Sequence, residues 1–531
     1  MKSSYPEEKL TIIGGGIIGF FQASYAYQAF EKQGKRVRIT IYEKNKSLLE
    51  TTAAGVAPSL TDLEMSAVLP SGDEFEAALR MPFHEAKGIK IEDVPGINDS
   101  FAGKIFKEAV SKSSTDYKAY EESAKFVLSL GKKSMKLWQK LYDEGDDELK
   151  AIMRQSNYNP CRETEESSLH QGYRIDVIYN MKKAEDKANS IIQACTELGY
   201  KHCRIISPKE AIKIDPYLQD FCNKNSKDGK WNDDSIALWR PGGCIDASVF
   251  LPKFEEYLSR KLGNYVNNKG YTKNCFGIKF DREVTGFELK DNEIINVKFT
   301  EKLKRINHIY KKSNYAISVG EAVGSLDKFG FASPADAGFA GSSLRLNIEL
   351  PADKIIEYSN LNHCMEVYQE GIILAWQAKF IDGKISIKVA GTKAFYGHYT
   401  PHKNHEFCKN RNLVQLNMIN DMLPDLISIA LGKETRGIKL TAEDLNFLED
   451  QSIAQRWVGR RSVAYDNSPT LGQIYLKNGT PVKNGTVITH AGSGGASFGP
   501  ALAKFNQDII SSKESSFIEQ IKKFCSSYRG R

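Results

Sequence analysis

The sequence predicts an α/β protein, α+β overall. A βαβ domain shares the molecule with a second domain on a mixed or antiparallel sheet. Three observations carry this. The chain opens with an apolar run, a triple glycine, a helix-compatible stretch and a second apolar run, the order of a βαβ unit. Residues 372–376 and 384–389 have strand composition and are flanked by Gly383 and Gly391. A second glycine-rich loop, Gly492-Ser493-Gly494-Gly495, precedes a last helical stretch. At 531 residues the chain is long enough for two packed lobes.

Composition narrows the class without choosing a function. A chain that is 41% hydrophobic and 26% charged is neither disordered nor collagen-like. Lys+Arg 73 against Asp+Glu 66 leaves a net charge of +7 with no long basic block, too little to imply a nucleic-acid partner. The nine cysteines are scattered, with no CxxC pair and no Cys/His spacing that suits zinc, so we expect a reduced, cytoplasmic protein with no metal site. Glu7 and Glu8 precede a first apolar run broken by glycines, which does not read as a signal peptide. No stretch approaches the roughly 18 apolar residues of a membrane-spanning helix. Peripheral contact with the inner face of a membrane stays open.

The βαβ unit is the most informative stretch. Leu10-Thr11-Ile12-Ile13 reads as a buried strand, Gly14-Gly15-Gly16-Ile17-Ile18-Gly19 opens a helix through Ala23 and Ala26, and residues 37–42 read as a second strand. Gly14 permits a tight turn, Gly16 lets backbone approach a pyrophosphate, and Gly19 lets helix and strand pack closely, so phosphates can sit on the helix N-terminus. Glu43 ends the second strand, where such a Rossmann-like fold needs an acceptor for adenosine ribose hydroxyls, with Lys44 beside it. The bland alternative is a glycine-rich packing turn. Leu48-Leu49-Glu50-Thr51-Thr52-Ala53-Ala54-Gly55 comes next, and its small residues suit a loop wrapping a second phosphate region, which favours FAD over NAD. Taken alone, that run reads equally as an N-cap cluster.

The opening IIGGGIIG, the acid in IYEKN and the segment LLETTAAGVAPS resemble the D-amino acid dehydrogenase, glycine oxidase and sarcosine oxidase (DAO) family of FAD-dependent oxidoreductases. Trp457-Val458-Gly459-Arg460-Arg461-Ser462, with Asp466, Pro469 and Gly472, resembles the family's late G-x-R-x4-D-x2-P-x2-G segment, Arg461 taking the arginine position. Ile488-Thr489-His490-Ala491-Gly492-Ser493-Gly494-Gly495 resembles its final His-Gly-rich flavin loop, where Ala491 replaces the usual glycine. Weaker landmarks fall in order between these ends: Gln171-Gly172-Tyr173-Arg174, residues 206–211, Arg240-Pro241-Gly242-Gly243 and residues 315–320.

The resemblance implies a discontinuous FAD-binding domain over about 1–60, 200–330 and 440–531, of glutathione-reductase type, including Val284 and the strand before Gly320. It implies a substrate or cap domain over 132–199 and 331–439. Residues 61–131, with a lysine-rich helical tail running from 104 to 142, fit the family least and read as an insertion. Residues 122–141 and 184–198 read as amphipathic helices covering the antiparallel sheet.

A flavin accepts hydride from the α-carbon of an amine, so the protein mainly clamps substrate and tunes the ring. Arg461 is the candidate carboxylate clamp, because a planar guanidinium matches two carboxylate oxygens. Its bland alternative is a structural pair with Asp466, and Arg460 is the neighbour able to exchange roles with it. Residues 391–399 resemble the family strand that faces the flavin. Tyr396 and His398 would share a face there if extended, and Lys393 or Lys388 would place a cation near the ring, against the bland reading of solvated strand lysines. Gly492, Ser493, Gly494 and Gly495 would offer backbone N–H groups to the ring, with the next helix aiming its positive end at it. His490 is read either as flanking the flavin or as satisfied by backbone. No cysteine lies between Cys408 and Cys525, so FAD is expected to be noncovalent.

The function expected is oxidation of a small amine or amino acid: a D-amino acid, glycine or an N-methyl amino acid. The electron acceptor is open among oxygen, a quinone and a protein. The alternatives are the same chemistry on a hydroxy acid, polyamine or modified tRNA base, or a non-catalytic flavin-binding effector.

Overall fold

The computed structural model describes residues 7–63, 117–161, 172–262, 264–266, 272–300, 307–309, 313–319, 325–334, 336–369, 372–395, 406–466, 468–511 and 514–529. Tyr396, His398, Gly320 and most of 61–131 lie outside these residues, as do the side chains of Lys393 and Ser493.

The apolar run before the glycines forms β1 (Glu7–Ile13), followed by α1 (Ile17–Lys32) and β2 (Arg36–Tyr42). β1 pairs in parallel with β2 and, on its other side, with Asn314–Ser318. Strand Phe276–Lys279 extends the sheet beyond β2, and Pro481–Thr489 then Thr470–Tyr475 extend it beyond Asn314–Ser318. Only the last pairing of these six strands is antiparallel. The central strands are buried on both faces: Leu10, Ile12, Ile39 and Ile41 pack into the core of α1, and Ile13 and Tyr42 into a second core on the other side. A separate three-stranded antiparallel sheet, Glu283–Lys290, Glu293–Thr300 and Asn307–Ile309, packs beside it through Ile294, Val297 and Phe299.

The second sheet has eight strands in the order Ala454–Ala464, Asp336–Glu349, Lys384–Phe395, Ile372–Ile381, Asn362–Gln369, Tyr173–Ile178, Ile236–Pro241 and Arg204–Ile206. It is antiparallel except where Asn362–Gln369 meets Tyr173–Ile178, which makes it the mixed sheet that the sequence predicts. Helices Glu406–Met422, Pro424–Leu431 and Ala442–Asp450 share an apolar core with it, including Leu416, Ile419, Leu426, Ile427 and Leu448.

Two placements differ from the sequence reading. Helix Tyr117–Asp143 contains the stretch expected to cover the antiparallel sheet. It packs instead on helix Gly495–Ile510, and its Phe126, Leu130, Met135 and Trp138 join the core of α1. Phe21 meets Trp138 edge-on at 5.0 Å. The periodicity of a helix gives its apolar face but not the surface that face will meet. Strands Arg204–Ile206, Ile236–Pro241 and Ala454–Ala464 belong to the eight-stranded sheet, whereas the sequence reading grouped their segments with the βαβ pieces. No helix among the described residues is long and apolar enough to cross a membrane, and none of the nine cysteines forms a disulfide.

Candidate active site

The glycines after β1 divide by what surrounds them. Gly14 has φ +106°, and a Cβ there would stand 2.2 Å from the Ser318 carbonyl oxygen. A Cβ on Gly19 would meet the Gly14 carbonyl at 2.2 Å. Gly16, the N-cap of α1 at φ −76° and ψ 179°, has room for a Cβ, which would meet Ala53 Cβ at an ordinary contact distance of 3.8 Å. Gly495, at the start of helix Gly495–Ile510, has nothing within 4 Å. Both lie on one cavity of about 310 Å³, so two helix starts border the same space. First-turn N–H groups without intrahelical partners favour an anion there.

Glu43 is buried at the side of this turn. Its Oε2 accepts from Gly15 N at 2.8 Å, and its Oε1 accepts from Asn45 N and Nδ2 at 2.9 and 2.7 Å. The carboxylate thus braces the turn while keeping lone pairs for a further donor. Lys44 also lines the cavity; burial lowers its ammonium from the ordinary lysine range, against the opposing pull of Glu43. Val284 lines the same end with Arg282 and Glu283. Ser318 lines the cavity too, its hydroxyl buried and without a hydrogen-bond partner among the described residues.

Segment 51–56 forms another wall. Thr51 Oγ1 donates to Leu48 O at 2.6 Å, closing the short turn in which it sits. Two residues of the eight-stranded sheet hold Ala54 and Gly55. Lys388 Nζ donates to Ala54 O at 2.9 Å and pairs with Asp246 at 3.1 Å. The Trp457 indole occupies the space that a Cβ on Gly55 or on Gly459 would need, at 2.1 and 1.8 Å. Lys388 is 5% exposed, which corrects its reading as a solvated strand lysine. Burial lowers its ammonium from the ordinary range, with Asp246 acting the other way. Burial works to raise the Asp246 carboxyl, and Lys388 and Arg345 outweigh it, holding that group below the usual range.

Arg461 is 9% exposed and lines the cavity; its Nη2 stands 2.9 Å from the Cβ position of Gly341, on the paired strand Asp336–Glu349. Arg460 lines the cavity beside it, lowered by burial with Asp336 opposing. Asp466, the alternative partner for Arg461, is engaged by Arg529, whose Nε and Nη2 donate to it at 2.7 and 3.1 Å. His490 is held by side chains and not by backbone: Nδ1 lies 2.7 Å from Thr470 Oγ1 and Nε2 2.9 Å from Asp336 Oδ2. It takes the left-handed φ of 56°, as does Gly492 at 53°, whereas Ala491 sits at φ −71°. The turn therefore needs no glycine at 491.

Behind segment 51–60 lies a fully buried ion cluster. Arg174 pairs with Asp176 and, at 2.9 Å, with Glu366; Arg240 reaches Glu366 at 2.7 Å and also Asp176. Ser59 Oγ links Arg174 to Glu366 at 2.8 and 2.7 Å. Against the burial that would raise it, Arg174 and Arg240 hold the Glu366 carboxyl below its usual range. The cluster ties Ser59, just past the cavity wall, to three strands of the second sheet.

Of the candidates from sequence, Gly14, Gly16, Ile17, Ile18, Glu43, Lys44, Thr51, Thr52, Ala53, Val284, Arg461, Gly492 and Gly495 come together on one cavity. Gly15, Gly19, Ala54 and Gly494 lie in the adjoining backbone and do not line it. The backbone of Lys393 is in strand Lys384–Phe395. Sequence reasoning missed Asn45, Arg282, Ser318, Lys328, Phe329 and Trp457 as lining residues. Trp457 stood in a quoted motif, two positions before a glycine. Asn45 stood in the IYEKN segment and Ser318 in the 315–320 landmark, whereas Arg282, Lys328 and Phe329 lie outside every quoted motif.

No family model matches the sequence, and no curated protein matches it. Solved structures do share the fold. The chain is similar to glycine oxidase from Geobacillus kaustophilus, with TM-score 0.53 and 13% identity, over 99% of each chain. It is similar to glycine oxidase from Bacillus cereus ATCC 14579, with TM-score 0.51 and 12% identity, over 96% of this chain and 97% of that one. L-proline dehydrogenase from P. horikoshii aligns with TM-score 0.51 and 14% identity, over 99% of this chain and 98% of that one.

Proposed function

We propose that this chain is an FAD-dependent oxidoreductase that oxidises a small amine or amino acid. The observation that carries the reading is the convergence on one cavity of the Gly14–Gly19 turn, the Glu43 carboxylate, segment 51–56, the Gly492–Gly495 turn and the Arg460-Arg461 pair. In this reading the six-stranded sheet and its helices form the flavin-binding part, and the eight-stranded sheet supplies the substrate wall.

The residues present fit a noncovalent dinucleotide. Gly16 and Gly495 leave backbone open to the cavity, and the orphaned Ser318 hydroxyl offers a hydrogen bond there. Gly16 and the start of α1 would hold the pyrophosphate, Glu43 the adenosine ribose, and the 492–495 turn the ring. When bound, the flavin supplies the acceptor for hydride from the substrate α-carbon. The chain's own task is to place that carbon. Arg461, seated over Gly341 and with its backbone in register with Phe339, is the group we assign to the substrate carboxylate. Arg460 lines the same cavity beside it and is the neighbour able to exchange roles with it. Trp457 and the Lys388 contact hold segment 51–56 against the sheet.

The proposal is tested by an anaerobic visible spectrum of the purified protein before and after a panel of D-amino acids, glycine, sarcosine and D-lactate. Flavin bands that bleach with amino acids support it and name the substrate class. Bleaching by D-lactate alone moves the substrate to hydroxy acids. Absence of flavin bands even after FAD is supplied overturns it.

A further inference from the structure

Resting on the flavin reading above, we infer that Thr470 and Arg529 are positioning residues of the site, acting through His490 on the turn that borders the cavity. Neither residue lines the cavity. Arg529 donates from Nη1 to Thr470 Oγ1 at 2.9 Å while its other nitrogens engage Asp466 and the Ser468 carbonyl. Thr470 Oγ1 lies 2.7 Å from His490 Nδ1, and His490 Nε2 lies 2.9 Å from Asp336 Oδ2. Thr470, His490 and Asp336 are each less than a tenth exposed, so no bulk water competes for these bonds.

The directions of the bonds come from donor counting. A carboxylate only accepts, so His490 Nε2 carries the proton that Asp336 receives. With Nε2 protonated, a neutral imidazole leaves Nδ1 as an acceptor, and Thr470 Oγ1, which accepts from Arg529 Nη1 on one of its two lone pairs, donates its proton to Nδ1. This assigns the His490 tautomer from the network. The ring is fixed at both nitrogens, and that fixation falls on a non-glycine residue at φ 56°, a conformation that costs on the order of 1 kcal/mol or more without such support. His490 is followed by Ala491 and Gly492, which line the cavity, and its partner Asp336 begins the strand that pairs with Ala454–Ala464, the strand that carries Arg460 and Arg461. The Thr470 hydroxyl therefore bears on the turn through His490 and, one bond further, on the strand paired with the arginines through Asp336.

Thr470→Val removes the hydroxyl at nearly constant volume, and Thr470→Ser restores it. Both are compared with wild type in three measurements: FAD dissociation constant by flavin fluorescence, His490 imidazole nitrogen chemical shifts, and thermal midpoint. We expect Thr470→Val to raise the FAD dissociation constant about tenfold and to change the Nδ1 shift, and Thr470→Ser to return both to within about twofold of wild type. Arg529→Gln is expected to weaken FAD binding in the same direction, with Arg529→Lys giving partial rescue. Should Thr470→Val unfold, the Ser variant and the Arg529 pair still decide. Wild-type FAD affinity and nitrogen shifts in the folded Val variant would overturn the positioning role alone. Wild-type protein that binds no FAD would instead overturn the flavin reading beneath it.

Discussion

Replacing Gly16 separates binding from folding more cleanly than any other change at the βαβ turn. Its φ of −76° and ψ of 179° are open to any L-residue, and its Cβ position meets only Ala53 Cβ at 3.8 Å. Gly16→Val therefore loses only the modest preference of an N-cap for glycine, about 1 kcal/mol or less. The valine branches, however, project into the space where a pyrophosphate must approach backbone. Overlap with a close-packed group costs about 1–3 kcal/mol, which raises the FAD dissociation constant by roughly 5- to 150-fold. Gly19→Ala behaves oppositely. Its Cβ lands 2.2 Å from a backbone carbonyl, so helix and strand must separate, and the gain of about 1 kcal/mol for alanine in a helix does not offset that. The assay is thermal melting of flavin-free protein beside the flavin-to-protein ratio after FAD loading and gel filtration. Gly16→Val should melt near wild type and emerge without flavin; Gly19→Ala should melt lower. A Gly16→Val protein that carries stoichiometric FAD would refute the placement of the phosphates.

Other outcomes rest on the same geometry. Arg461→Ala should raise the apparent KM for an amino-acid substrate by about 10- to 100-fold, the worth of a charged hydrogen-bonded clamp, with FAD content unchanged; Arg461→Lys should recover only part, and steady-state kinetics with flavin absorbance checks both. Lys388→Met leaves Asp246 buried with Arg345 and Ser248 as its remaining partners and should destabilise the protein by about 1–3 kcal/mol, read from urea unfolding. Asp246 and Glu366 have carboxyls held below their usual range, so their stabilising contributions are complete above about pH 4–5 and are lost as pH falls through the lowered folded values. Unfolding free energies at pH 7, 5 and 3 should decline on the acid side, and Glu366→Gln should be less stable at pH 7 with a shallower acid limb; a limb unchanged by the substitution would remove Glu366 from the acid response.

What could be read from sequence was what short-range physics dictates. The strand, glycine turn, helix and second strand at the start of the chain are a local pattern, and so are the glycines at Gly14 and Gly19, where a Cβ would strike backbone. The destination of helix Tyr117–Asp143 was not local. Its apolar face suits any apolar surface, and only the assembled core of α1 and Gly495–Ile510 shows which one it meets. Lys388 makes the same point in reverse. A lysine alternating with isoleucine and valine along a strand reads as its solvated edge, yet Asp246 and the Ala54 carbonyl arrive from distant segments and make burial tolerable.

The turn at His490 shows why a departure from a motif is not by itself evidence against a function. A glycine at position 491 would be demanded by the backbone only if that residue had to be left-handed, and Ala491 is not. The left-handed positions are His490 and Gly492. Glycine meets such a requirement without a partner, whereas histidine meets it here through Thr470 and Asp336. The conformational freedom that the resemblance looked for at 491 is thus met at 490 by two side-chain bonds. Substituting glycine at 491 should therefore change little, while removing the Thr470 hydroxyl should disturb the turn through His490.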